Sequence, residues 1–289
     1  MTSVVVALVA ALVAAVLASL APRVVAGLPP SDEPPDEPPH ERAGDPRSLP
    51  GESFGPSVDV FTDADGDVVT AADPGAHPTG TSPEVVGAAR PAAPAGAAAP
   101  VDWPTLARTR GLGGWSAAVA ATAAGTVALV LGPDPAVPAW TALAVVGTWL
   151  GWIDWRTRLL PKRLVIPAYL VVGVSLLVAG LSHDRDALVR SAYGWIGTFG
   201  VYALLWLVYP RGLGYGDVRL SGVLGMALGW IGWSALVVGT YAGFLLGAVI
   251  GGLLAMARVV DRRGYPFGPF MLLGAWLGAV TSPWTLGWF

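Results

Sequence analysis

The sequence predicts an all-α, polytopic membrane helix bundle of about eight transmembrane helices, and three observations lead there. Charged residues are 13% of the chain and hydrophobic ones 54%, with a mean hydropathy of +0.59, whereas soluble proteins carry roughly 25% charge. Apolar runs recur at close to the ~20 residues that a bilayer core requires of a helix. The composition also splits: residues 1–113 hold 14 of the 20 acids, while 12 of the 13 tryptophans follow residue 113.

Several classes of function drop out at once. A net charge of −3 lacks the basic excess of a nucleic-acid binder, so no nucleic-acid partner is expected. With no cysteine there is no disulfide, no thiolate metal site and no cysteine nucleophile. His40, His77 and His183 are scattered, so neither a metal nor a cofactor is expected.

The first helix occupies residues 1–21, whose apolar run begins at Val4. No positive side chain precedes that run and Arg23 follows it, which favours an anchor with a cytoplasmic C-terminal end over a signal peptide. Residues 22–113 then read as a long disordered cytoplasmic loop rich in proline, alanine and acids, with little to build a core. Its DADGDVVTAAD fragment (63–73) resembles a calcium loop, but Val68 and Pro74 replace the required Gly and Glu, so a solvated acidic turn fits better. Residues 114–289 form the membrane domain, with spans near 115–132, 138–153, 164–182, 188–209, 219–232, 234–257 and 267–287. The sixth is short and glycine-rich, which suggests a tilted or partly re-entrant helix. In the seventh, Gly239, Gly243, Gly247 and Gly251 recur every four residues and offer a face for close helix packing.

Loop charges set the orientation. Arg156, Arg158, Lys162 and Arg163 share one loop, Arg211 and Arg219 flank another, and Arg258, Arg262 and Arg263 form a third. With eight spans these all fall on the side of the insert, so both termini lie outside and the insert lies in the cytoplasm.

Only six acids follow residue 113, and a carboxylate beside an apolar span is by default a functional candidate. Asp134, Asp184 and Asp186 belong to outside loops, and Asp261 sits among arginines as a neutralising charge. Asp154 ends the third span and Asp217 opens the sixth, both at the cytoplasmic edge and at similar depth. Either alone reads as structural, Asp217 as a helix cap and Asp154 as an ion-pair partner. Together, with Gly212, Gly214 and Gly216 ahead of one of them, they suggest a two-carboxylate site. Two close carboxyls share a proton and can activate a water for attack on an amide. The helix dipole favours negative charge at the start of a helix and disfavours it at the end, which suits Asp217 as the base and Asp154 as the proton donor.

These segments resemble the type IV prepilin leader peptidases, a family of GxGD-type membrane aspartyl proteases. DWRTRLLPKRLVIP (154–167) is similar to the family's first aspartate segment, and GYGDVR (214–219) to its GxGD segment, with Arg219 in place of lysine. YPFGPFMLLGA (265–275) is similar to its closing stretch, and LASLAPRVVAGLP (17–29) faintly to its first cytoplasmic edge. The resemblance implies catalytic roles for Asp154 and Asp217, with Pro161, Gly214, Gly216 and Arg219 shaping the site. It implies cleavage of the short basic leader from pilin or pseudopilin precursors, in the plasma membrane, with the active site facing the cytoplasm. The partners are then the precursor and the lipid bilayer; self-association is left open. The alternative is a non-enzymatic membrane scaffold of a pilus or secretion machine. Many members carry cysteine pairs that bind zinc in the first cytoplasmic loop. Their absence here, with a proline-rich tract in that loop, speaks against zinc and against N-methyltransferase activity.

Because the insert lacks a core, deleting residues 32–98 is expected to leave helicity and thermal stability in detergent unchanged. If its acidic excess attracts a basic leader, the same deletion slows cleavage at low salt and has no effect at high salt.

Overall fold

The computed structural model describes residues 1–29, 101–210, 212–257 and 266–285, together with the backbone of two short strands, 60–62 and 68–70. Two compact units emerge, residues 39–97 and the remainder. Within the smaller unit, β1 (Val60–Thr62) pairs antiparallel with β2 (Val68–Thr70). This hairpin departs from a wholly α reading. Valine, phenylalanine and threonine favour extended backbone. The solvated acidic turn expected within 63–73, apart from the strand residues 68–70, lies outside the described residues, as do Asp261 and the arginines at 211, 258, 262 and 263.

The larger unit is helical. Its elements are α1 (Thr2–Ala18), α2 (Ala21–Ala26), α3 (Trp103–Ala107), α4 (Leu112–Leu131), α5 (Val137–Thr157), α6 (Lys162–Ser182), α7 (Arg185–Val208), α8 (Tyr215–Ile231), α9 (Trp233–Leu246), α10 (Gly252–Met256) and α11 (Gly268–Thr285). A π-helical turn, Gly247–Gly251, joins α9 to α10. Each expected span is matched by a helix. Five segments are long and apolar enough to cross a membrane: Thr2–Ala26, Leu112–Leu131, Lys162–Ser182, Arg185–Val208 and Trp233–Gly251. The chain is therefore a multi-pass membrane protein. Helices α5, α8 and α11 fall short of that measure among the described residues. Much of the surface of α5 and α8 meets other helices rather than lipid, so small and polar residues serve there.

The outer surface differs from that of a soluble protein. Large aliphatic side chains such as Leu170, Val178, Ile196 and Leu204 point outward, while glycine, alanine, serine and threonine share the helix contacts with buried residues such as Leu150, Leu176 and Leu220. In a bilayer this is expected, since lipid is as apolar as leucine and close backbone approach supplies the attraction. Ala7, Ala10, Ala14 and Ala18 of α1 are buried with Ala120, Ala124 and Ala128 of α4. The Ser116 hydroxyl donates to the Ala18 carbonyl at 2.7 Å.

Helix α8 is the centre of the bundle, with Gly216–Val218, Leu220–Gly225 and Ala227–Trp230 all buried. It is packed on nearly every side. Gly225 and Gly229 lie against Gly194 of α7, where a Cβ on Gly229 would come within 2.7 Å of the Arg190 carbonyl. Side-chain hydroxyls reinforce the contact: Ser191 donates to the Met226 carbonyl at 2.7 Å and Thr198 to that of Ser221 at 3.2 Å. At the far end, Arg190 donates to the carbonyls of Gly229 and Trp230 at 3.2 and 2.9 Å, supplying the donors that a helix terminus lacks. Asp134, expected to be only a loop charge, accepts from Trp230 Nε1 at 3.1 Å and so ties down the same end.

The glycine face of the seventh span packs within the molecule. Gly239 and Gly243 meet Gly274 and Gly278 of α11, and a Cβ on Gly243 would lie 3.3 Å from the Met271 Cα. Gly247 and Gly251 are also buried, but in the π-helical turn.

Gly243→Leu and Gly225→Leu are each expected to lower the melting temperature in detergent, since overpacking costs about 1–3 kcal/mol or more. Gly197→Leu, which meets nothing within 4 Å, is expected to leave it unchanged.

Candidate functional site

Asp154 lies three residues before the end of α5, 4% exposed, and Asp217 in the first turn of α8, 7% exposed. A carboxylate buried in apolar surroundings needs donors, and in both cases main chain supplies one. Asp154 Oδ2 accepts from the Gly268 N–H at 2.9 Å, across a separation of 114 residues. Asp217 Oδ2 reaches back to the Gly214 N–H at 3.2 Å, the position from which an acid caps its own helix.

Three segments hold one or the other of these acids, or the turn beside it. The first is the turn after α5. Arg158 takes a left-handed conformation (φ 56°) and its N–H donates to the Asp154 carbonyl at 2.7 Å. Helices often end this way with glycine, and the cost for other residues is about 1–2 kcal/mol. Pro161 then caps α6, its φ of −62° suited to that place. The second segment is Gly214–Asp217. Gly216 sits against Leu160, where a Cβ would lie 2.8 Å from the leucine Cβ, so the absence of a side chain brings the turn and α8 together. Gly214 is extended (φ −75°) and contributes its N–H. The third is Phe267–Gly268. A Cβ on Gly268 would approach Asp154 Oδ2 to 2.9 Å.

The remaining candidates have defined places. The Arg219 guanidinium lies over the Tyr215 ring, 4.5 Å from its centroid, and its carbonyl accepts from the Tyr169 hydroxyl at 2.7 Å. Arg156 lies over Trp152 at 5.7 Å.

Some neighbours of the site were not legible as such in the sequence. Both ends of the stretch expected to be disordered are helical. Val25 of α2 and Trp103 and Ala107 of α3 pack around Ile153, the residue before Asp154. Asp102 caps α3 by accepting from the Thr105 N–H at 3.2 Å. Trp103, the one tryptophan of the insert, was the signal available. An apolar groove of about 680 Å³ runs between α4, α5 and α11. Gly151, Trp155 and Pro269, near neighbours in sequence of Asp154 and Gly268, lie along it.

Among the described residues, no group of three or more His, Cys, Asp or Glu is placed to hold a metal ion. The arrangement consists of two buried carboxyls at helix ends, main-chain donors and an apolar approach. That suits acid–base work on a neutral substrate.

Comparison with known proteins agrees with the motif reading. Residues 141–256 match the type IV leader peptidase family. The chain is 30% identical over 159 residues to a prepilin leader peptidase/N-methyltransferase of Aeromonas salmonicida (strain A449), covering 53% of this chain and 54% of that one. It is 34% identical over 128 residues to the protein of that name from Stutzerimonas stutzeri, 43% of each chain. With that of Escherichia coli (strain K12) it shares 33% over 138 residues, 46% of this chain and 58% of the other. The chain thus spans about half the length of the curated relatives it matches. No solved structure matches it. The resemblance to the type IV prepilin leader peptidase family is borne out.

Gly268→Ala is expected to push Asp154 off its N–H donor and lower stability by about 1–3 kcal/mol, the cost of leaving a buried polar group unsatisfied. Gly252→Ala, with nothing within 4 Å, is the control and is expected to keep wild-type melting.

Proposed function

From a segment that matches the type IV leader peptidase family, we propose that this chain is a membrane aspartyl endopeptidase. It removes the short basic leader from type IV pilin-like or pseudopilin precursors at the cytoplasmic face of the plasma membrane. The observation that carries this reading is the pair of buried carboxyls, Asp154 and Asp217, each at a helix end and each held by a main-chain N–H.

In the proposed reaction a water lies between the two acids. Asp217, at a helix N-terminus where the dipole supports negative charge, takes a proton as the water oxygen bonds to the amide carbon. Asp154, at a helix C-terminus, gives its proton to the carbonyl oxygen. The tetrahedral intermediate then collapses: the amide nitrogen takes the proton held by Asp217, the C–N bond breaks as a hydroxyl of the intermediate returns its proton to Asp154, and a new carboxyl and a free amine leave. Gly216 and Gly268 carry no side chain beside the acids, which supports close approach of an extended peptide. The apolar groove, lined by near neighbours in sequence of Asp154, supports a substrate that reaches the acids from within the bilayer. The basic residues Arg156, Arg158, Lys162 and Arg163 support a cytoplasmic placement of that end. Of the relatives' double name, only the peptidase half is extended to this chain, which has no cysteine to build the zinc-binding pairs.

Co-expression with a pilin-like precursor, followed on a gel, tests this. The expected result is loss of the leader with the wild-type chain. Asp154→Asn and Asp217→Asn each reduce cleavage by roughly 10²-fold or more, while Asp261→Asn cleaves normally. A wild-type chain that leaves every such precursor intact would sink the peptidase reading.

A further inference from the structure

Tyr169 of α6 is half-buried, and its hydroxyl donates to the Arg219 carbonyl of α8 at 2.7 Å. The bond has room to form because residue 222 is glycine. A Cβ there would collide with the Tyr169 hydroxyl and come within 3.0 Å of the Trp195 ring of α7. Gly222 is buried, so the tip of the tyrosine sits where α8 passes both neighbours.

This contact belongs to a line of contacts. At the start of α8, Gly216 meets Leu160 in the turn before α6. Farther along, a Cβ on Gly173 would lie 3.7 Å from the Met226 sulfur. Residues 160, 169 and 173 meet 216, 219 and 226 in rising order, so α6 and α8 touch in parallel. Asp217 falls between the first contact and the Tyr169 bond. Asp154 lies near the end of the helix that leads into the same turn, where the Arg158 N–H bonds to its carbonyl. The α5–α6 hairpin therefore carries one acid and packs on both sides of the other along α8.

The Leu160 and Gly173 contacts are apolar. Between helices in a bilayer such contacts gain little over lipid, which is equally apolar. They leave one helix free to slip along the other. A hydrogen bond is directional and weakens steeply away from its preferred geometry. On the opposite side, Ser191 and Thr198 of α7 hold α8 farther from its start, at the Met226 and Ser221 carbonyls. Tyr169 bonds the carbonyl two residues beyond Asp217, and it belongs to the hairpin that carries Asp154.

We propose that Tyr169 is a positioning residue: its bond to the Arg219 carbonyl sets the register of the α5–α6 hairpin on α8, and with it the place of Asp154 relative to Asp217. The proposal deepens the peptidase reading and, in its kinetic form, rests on it. A slip of one residue along a helix is about 1.5 Å. A misplacement of about 1 Å can cost on the order of 10²-fold in rate.

The test uses the full-length chain in nanodiscs with a synthetic precursor peptide that carries its leader. Tyr169→Phe keeps the ring and removes only the hydroxyl. The expected result is a kcat roughly 10- to 100-fold lower, with KM unchanged. Melting temperature should also hold, since one hydrogen bond between membrane helices adds little stability. A second readout is independent of cleavage. The chain has no cysteine, so Gly173→Cys with Met226→Cys reports the register through the rate of disulfide formation under a mild oxidant. That rate should fall several-fold when Tyr169→Phe is added. A wild-type kcat or an unchanged disulfide rate in Tyr169→Phe overturns the proposal. So does a kcat loss matched by a lower melting temperature, which would make the role one of packing. If the wild-type chain cleaves no precursor, the peptidase reading fails, and the disulfide rate alone decides the role of Tyr169.

Discussion

Helix α8 can be enclosed only because backbone meets backbone at Gly194, Gly225 and Gly229. A methyl group at any of these would force α7 and α8 apart. The contact sets the depth of α8, and with it the place of Asp217 in its first turn. Hydroxyls of Ser191 and Thr198 and the guanidinium of Arg190 then bond to carbonyls along the helix. Such bonds suit a bilayer, where main-chain polar groups have no water to turn to. The same device recurs where α9 meets α11 through Gly239, Gly243, Gly274 and Gly278. Both pairs of helices thus fix an element that ends at the candidate site: α8 at Asp217 and α11 at Gly268.

The carboxyls exploit that rigidity. A charged group near a membrane is costly unless the protein supplies what water would have. Gly268 and Gly214 supply main-chain N–H groups, donors that no side-chain motion can withdraw. Glycine serves the two positions for different reasons. At 268 a side chain would press on Asp154, whereas Gly214 has ordinary extended backbone and contributes its N–H. The turn between α5 and α6 is drawn against the start of α8 by the contact of Gly216 with Leu160.

Much of this was legible in the sequence, because charge in an apolar chain is conspicuous. Asp154 and Asp217 stood out, as did the order of the helices and the glycine face at 239 and 243. What was hidden depends on contacts across long separations. Nothing local in YPFGPF says that the Gly268 N–H reaches back to Asp154. The ends of the insert were misjudged because its average composition lacks a core. Yet Val25, Trp103 and Ala107 find theirs against Ile153, contributed by a different helix. The count of spans was read from hydropathy alone, which cannot separate a helix that faces lipid from one that faces helices, as α8 does.

The claim on which the rest turns is that Asp154 and Asp217 meet at one site. The chain contains no cysteine, so a pair can be introduced without interference. In native membranes, the double variant Asp154→Cys with Asp217→Cys, treated with a short bifunctional thiol reagent, should form an intramolecular cross-link. The pairing of Asp154→Cys with Asp186→Cys, which places the second thiol at the opposite end of α7, should not. A double variant at 154 and 217 that stays uncrosslinked while both thiols react singly would contradict the account.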